Sequence, residues 1–288
     1  MSLTKIFAAL AIALLCFVQI VVADDDGEKK REDFDAKPLA SKWTVRVGGN
    51  LSSFDTNVAW SPKGLGGAVI VLEDTLGLDE SIDNYNLGVA YRFNGRHSIE
   101  FSATDLRRSA LKMIDEEIEW GNYIFRAHGE VRSQLNLSVA SVKYKYDFSD
   151  SGRLNAGFSA GLSTFSIDAA LSGEARLEND DGSEWVEGVV ERANVVAPVP
   201  LVGFFLEYAA TPKWILRSYA DLIDLEIGDH AGRVLQVGMA AEYVFSDVFG
   251  VGVGLGGIDL EYRAEKKGEK FGVDYKVKSL GAYLSWVF

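Results

Sequence analysis

The residues that could do chemistry are charged side chains set at every second position in otherwise uncharged runs. Arg46 follows Thr44 and precedes Gly48 and Asn50, Arg92 closes the run Asn84, Asn86, Gly88, Ala90, and Glu100 stands between Ser98 and Ser102. Lys143, Lys145 and Asp147 alternate with Tyr144 and Tyr146; Glu207, Arg217, Asp221 and Glu242 keep the spacing in later runs, and Arg153 falls on the same parity. A period of two puts such residues on one face of an extended chain. Six cations against five carboxylates nearly cancel, so an enclosed face would hold them as an ion-pair network. That network would either line a polar path or fill a narrow barrel, and the width of a small barrel favours filling.

Other candidate chemistry is sparse. A nucleophile or base needs partners in reach, and the three histidines offer few: His97 follows a tight turn on the face opposite the charges, His128 lies in an acidic stretch, and His230 follows Asp229. Gly252-Val253-Gly254-Leu255-Gly256-Gly257 matches the dinucleotide fingerprint, but its glycines obey period two and no helical pattern follows. Their expected role is to leave room for bulky neighbours such as Tyr219. Asn50-Leu51-Ser52 and Asn136-Leu137-Ser138 fit the glycosylation pattern inside or beside strands, where it is coincidental. Asp180, Asp181 and Glu184 lack the full spacing of a calcium loop, although such loop acids can meet a divalent-bridged lipopolysaccharide surface. The expectation is no catalytic site, no metal site and no cofactor.

The elements that position these residues are strands. At the C-terminus Leu280, Ala282, Leu284, Trp286 and Phe288 alternate with Ser279, Gly281, Tyr283, Ser285 and Val287, and the chain stops on the strand itself. Such an edge makes sense if it closes a barrel against the first strand, apolar face in lipid and small or polar face in the lumen. Nine further segments alternate in the same way, starting at Trp43, Asn84, His97, Ala140, Leu154, Val202, Trp214, Leu235 and Phe249. Asn94-Gly95, Ser149 to Gly152, Thr211-Pro212 and Ser246-Asp247 are short turns; 55–83, 105–131, 168–197, 228–233 and 266–270 read as outer loops. The fold class is therefore all-β, an antiparallel up-and-down transmembrane barrel of ten strands with both termini periplasmic. Tyr91, Phe93, Tyr146, Phe148, Tyr208, Trp214, Tyr243, Phe245, Phe249, Trp286 and Phe288 all lie near a short turn or the C-terminus, forming a belt at one interface.

Composition sets the compartment. Lys5, the apolar run Ile6 to Val22 and Val21-Val22-Ala23 before three aspartates form a cleaved secretory signal, residues 1–23. Residues 24–41 are a charged, mobile periplasmic tail and 42–288 the barrel. Cleavage removes the one cysteine, Cys16, and Lys5 alone among charges, taking the net charge from −13 to −14 and excluding thiol chemistry and a nucleic-acid partner. The expected surroundings are outer-membrane lipid and lipopolysaccharide, with barrel-assembly machinery during insertion, and the expected state is a monomer. Residues 55–83 carry six acids against Lys63 and residues 168–197 eight against Arg176 and Arg192, so an open pore would attract cations.

The terminal Phe288 preceded by Leu280, Leu284 and Trp286 at even spacing resembles the insertion signal of bacterial outer-membrane β-barrels. Glu73-Asp74-Thr75-Leu76-Gly77-Leu78-Asp79-Glu80, followed by Tyr91-Arg92-Phe93-Asn94 and Arg96-His97-Ser98-Ile99-Glu100-Phe101, resembles a broad group of uncharacterised small outer-membrane barrels through most of the mature chain, and is distantly similar to OmpW-type barrels through Leu76-Gly77-Leu78. These resemblances imply outer-membrane location and fold; the OmpW-type likeness implies passage of small apolar molecules. Omptin-type proteases are also ten-stranded, and Asp229-His230 resembles their catalytic Asp/His pairing, but the earlier loops lack an acidic pair in Trp-x-x-Asp context. The residues favour a non-enzymatic structural or surface protein with a largely filled polar lumen; a narrow channel and an omptin-like hydrolase are the alternatives.

Overall fold

The computed structural model describes residues 39, 41–61, 68–120, 123–149, 152–177, 185–266 and 269–288. The signal segment 1–23, nearly all of 24–41 and the loop acids Asp180, Asp181 and Glu184 lie outside the described residues. The elements are β1 Trp43–Ser61, β2 Ala68–Val71, α1 Leu72–Leu76, β3 Ser81–Arg92, β4 His97–Met113, β5 Ile118–Trp120, β6 Tyr123–Phe125, β7 Glu130–Asp147, β8 Leu154–Leu177, β9 Val186–Ala209, β10 Trp214–Ile227, β11 His230–Val244, β12 Phe249–Lys266 and β13 Glu269–Val287.

Ten of these strands close an antiparallel barrel in the order β1, β3, β4, β7, β8, β9, β10, β11, β12, β13 and back to β1. Closure runs from Thr44 opposite Val287 to Ser61 opposite Lys270. Phe288 is held in that seam: Trp43 N donates to its carbonyl at 2.7 Å, and its own N donates to Trp43 O at 3.1 Å. Four side chains build the short turns. Asn94 Oδ1 accepts from Arg96 N and His97 N, Asp147 Oδ1 from Ser149 N and Ala156 N, Thr211 Oγ1 from Lys213 N and Trp214 N, and Ser246 Oγ from Val248 N and Phe249 N. Short polar side chains that mimic a backbone acceptor favour such reversals.

The lower wall is apolar outside. Val47, Leu51, Leu87, Phe101, Phe158, Val202, Val253 and Leu280 are all exposed on the outer face. A contiguous apolar surface of this kind in a closed barrel is suited to hydrocarbon. The expected aromatic belt borders it at the turn end, with Tyr91 and Phe93 rings 5.0 Å apart, Trp214 and Tyr243 5.2 Å apart, and Phe249 and Trp286 6.0 Å apart.

Above the belt the structure departs from the sequence reading. Most of the stretches expected as long loops are strand: β1 continues to Ser61, β4 to Met113, β8 to Leu177, and β9 starts at Val186. The physical reason is an inversion of the two faces. Inward positions become Phe54, Leu106, Leu135, Leu137, Phe165, Leu171, Leu201, Tyr275 and Val277, all buried in one core, while outward positions become Asp55, Asp105, Asp168 and Asn194. Strand pairing thus persists past the hydrocarbon, now as a wall around an ordinary apolar core. At about 3.3 Å per residue, the 24-residue β8 and β9 are each roughly 80 Å long, well beyond a belt about 25 Å tall.

In this outer half the wall has two open seams. β3 and β4 pair only from Tyr85–Asp105 down to Arg92–Ser98, and β9 and β10 only from Val202–Leu222 down to Ala209–Ile215. Pro198 and Pro200 explain the second seam. Residues two apart direct their amides to the same neighbour; the β8 ladder passes both prolines unbroken, so the missing donors face β10. The short helix α1 packs at the first seam, its residues Leu72 and Leu76, with Leu78, buried in the core.

Candidate functional site

Period-two geometry delivers ten of the eleven predicted charges to the lumen, six in one network and four in two further pairs. At its centre Glu242 is fully buried; its Oε1 accepts from Ser285 Oγ at 3.0 Å, and its Oε2 from Tyr283 OH at 3.0 Å and Arg217 Nε at 3.2 Å. Arg46 Nε approaches Glu242 to 3.9 Å, and Arg217 Nη1 reaches on to Glu207 at 3.0 Å. Lys145 Nζ bridges Glu207 at 3.3 Å and Glu100 at 3.4 Å while lying 4.2 Å from the centre of the Phe205 ring. Lys143 Nζ pairs with Asp221 at 2.6 Å, and Ser159 Oγ donates to the other Asp221 oxygen at 2.8 Å. Arg92 and Asp147 form the lowest pair, 3.9 Å apart.

Arg153 corrects the sequence reading. It lies exposed in the turn before β8, where strand parity no longer applies. The tail also departs from expectation at its end: Leu39 is buried, and its carbonyl accepts from Asn155 Nδ2 at 3.1 Å under the charged layer.

Immediately above, the inner wall carries small and uncharged residues, and a cavity of about 360 Å³ opens there. Ser52 Oγ meets Asn84 Oδ1 at 2.6 Å and Ser279 Oγ at 2.7 Å, and Asn84 Nδ2 donates to Thr104 at 3.0 Å. The fingerprint-like glycines of β12 divide into two kinds. A Cβ at Gly252 would fall on the Tyr283 ring, and one at Gly238 of β11 on Tyr219, so these glycines admit tyrosines; at Gly256 the nearest atom to a Cβ would be Val237 O at 3.5 Å.

The outer closure was not anticipated. Arg108 is nearly fully buried, its guanidinium 4.2 Å from the Phe54 ring centre; Nη1 pairs with Glu73 of α1 at 2.5 Å and Nη2 donates to Thr56 Oγ1 at 2.9 Å. Thr56 N donates to the second Glu73 oxygen at 3.1 Å. Burial raises the Glu73 carboxyl pKa, but the Arg108 and Thr56 hydrogen bonds outweigh it and hold the group below its ordinary value. Lys112 Nζ donates to Asp74 O, Ser133 Oγ to Leu76 O, and Gly77 ends the helix at φ 69°. The sequence signal for this latch was present: Arg108 continues the inward parity of Ser98, Glu100, Ser102, Thr104 and Leu106, and Leu72 and Leu76 are four apart.

The histidines stand apart from one another. His97 hydrogen-bonds Tyr144 on the outer face near the turns, His128 adopts φ 58° between β6 and β7, and His230 opens β11 after the Gly228-Asp229 turn. Among the described residues no group of three or more His, Cys, Asp or Glu could hold a metal ion.

No protein-family model and no curated protein matches this sequence. Solved structures match in fold. The outer-membrane protease OmpT from Escherichia coli aligns at 11% identity and a TM-score of 0.51, covering 85% of this chain and 97% of that one. The outer membrane protein OprG from Pseudomonas aeruginosa aligns at 11% identity and 0.35 over 86% and 96%, and Ail, the attachment invasion locus protein of Yersinia pestis, at 9% and 0.37 over 85% and 99%. The chain has the fold of a bacterial outer-membrane β-barrel. At these identities the likeness carries the fold alone.

Two predictions follow from this geometry. Gly252→Ala, which must displace Tyr283, lowers stability by about 1–3 kcal/mol, whereas Gly256→Ala, which meets no clash, raises it by roughly 0.5–1 kcal/mol; urea unfolding in lipid vesicles compares them. Because the Glu73 pKa is lower folded than unfolded, its stabilisation is complete above the unfolded carboxylate pKa and is lost as pH falls through the folded one. Protease protection of residues 68–78 should therefore fade on acidification, and Glu73→Gln should be unprotected at neutral pH already.

Proposed function

We propose that this protein resides in the outer membrane as a non-enzymatic barrel, closed along its axis, with a structural and surface role in the cell envelope. Outer-membrane lipid and lipopolysaccharide are its surroundings, barrel-assembly machinery its partner during insertion, and the monomer its working state. The observation that carries the reading is the stack of closures. Glu242 and its partners cross the lumen at one level, and the apolar core with the Arg108–Glu73 pair crosses it at another. A solute on the barrel axis would have to break both. The remaining surface is the pair of long outer sheets, which projects away from the belt as a rigid face.

The narrow channel is the second reading, favoured by the cavity between the two closures. One experiment separates them. In a planar lipid bilayer the folded protein should give no stable conductance steps, and Glu207→Ala, which weakens only the charged closure, should be silent as well. Stable ohmic steps from the unaltered protein would contradict the closed-lumen reading.

A further inference from the structure

The chamber between the closures has features that packing alone does not account for. A glycine within a strand costs roughly 0.5–1 kcal/mol relative to alanine. At Gly238 and Gly252 the cost is offset by the tyrosines they admit. At Gly88 and Gly256 it is not: a Cβ would meet its nearest atom at 3.9 Å and 3.5 Å, and both residues line the chamber. The floor of the same space is charged and internally paired, lined by Arg46, Glu100, Lys145, Glu207 and Arg217.

We propose that the chamber is a binding site for one small, uncharged, hydroxyl-rich molecule of monosaccharide size. Charge decides against an ion. The surrounding layer holds Arg46, Arg92, Lys143, Lys145 and Arg217 against Glu100, Asp147, Glu207, Asp221 and Glu242, five of each sign, and an added ion would leave an excess in a poorly solvated space. An uncharged molecule adds no such excess. The walls suit such a molecule: Asn50, Asn84, Thr104, Gln236 and Ser279 offer both donors and acceptors, and Leu106, Val139 and Val277 cover a carbon face from above. The volume, about 360 Å³, lies in the small-molecule range of about 300–1,000 Å³. Exchange goes outward, because α1 is a single five-residue helix and the wall around it is unpaired along two seams, whereas the inner closure is a many-membered network within a fully paired wall. The site requires no conduction and goes beyond the closed-barrel reading.

The test uses the folded protein in a detergent without a sugar headgroup, with D-glucose and D-xylose as neutral probes and gluconate and glucosamine as charged ones. Saturation-transfer NMR should show saturable binding of a neutral probe, at least tenfold weaker in Gly256→Leu, which fills the chamber, and in Ser279→Ala, which removes a wall hydroxyl without adding bulk. The second variant covers failure of the first to fold. Absence of saturable binding by both neutral sugars, equal binding by the folded variants, or preference for a charged probe would each overturn the proposal.

Discussion

A charge inside a narrow barrel cannot be left alone, and that constraint governs this structure. Moving one ion from water into such an interior costs several kcal/mol, and only a close partner with further hydrogen bonds offsets it. Glu242 shows the solution: fully buried, it takes one arginine, one tyrosine and one serine as donors. Each neighbour then imposes the same demand on the next, so the pairs propagate through Arg217, Glu207, Lys145 and Glu100 around the wall. Strand register must hold throughout, since a slip of one residue would turn these charges into lipid and the apolar belt into the lumen.

The glycines belong to the same constraint. Tyr283 can reach Glu242 only if β12 presents no side chain beside its ring, which is the place Gly252 occupies. A local sequence that looks like a phosphate-binding fingerprint is thus the counterpart of a buried hydrogen bond that passes over Gly252 between its two neighbouring strands.

Sequence alone revealed the ten strands, their facing and ten of the eleven inward charges, because in the lower half hydrocarbon outside and polar lumen inside produce the strongest period-two contrast. Arg153 was misplaced because parity was extended one residue past the start of β8. The outer half was read as loop for a different reason. There Phe165, Ile167 and Leu171 face inward and Ser166, Asp168 and Ser172 outward, so the alternation continues with its polarity reversed, and a search for apolar-outside segments ends at the reversal. The Arg108 latch could not be paired from sequence, since Glu73 reaches it through a helix that only tertiary packing holds. Pro198 and Pro200 look like loop residues, yet they end one ladder while sparing the other.

If charge balance in the lumen is what closes the barrel, Glu242 and Arg217 should be strongly coupled. The direct measurement is a double-mutant cycle by urea unfolding in lipid vesicles, with Glu242→Gln, Arg217→Gln and the pair. Each single change leaves a buried charge uncompensated and should cost about 3–5 kcal/mol, while the double variant should be less destabilised than the sum by at least about 2 kcal/mol. Additive losses would contradict the account, because the two groups would then be solvated independently and the lumen would be open to water.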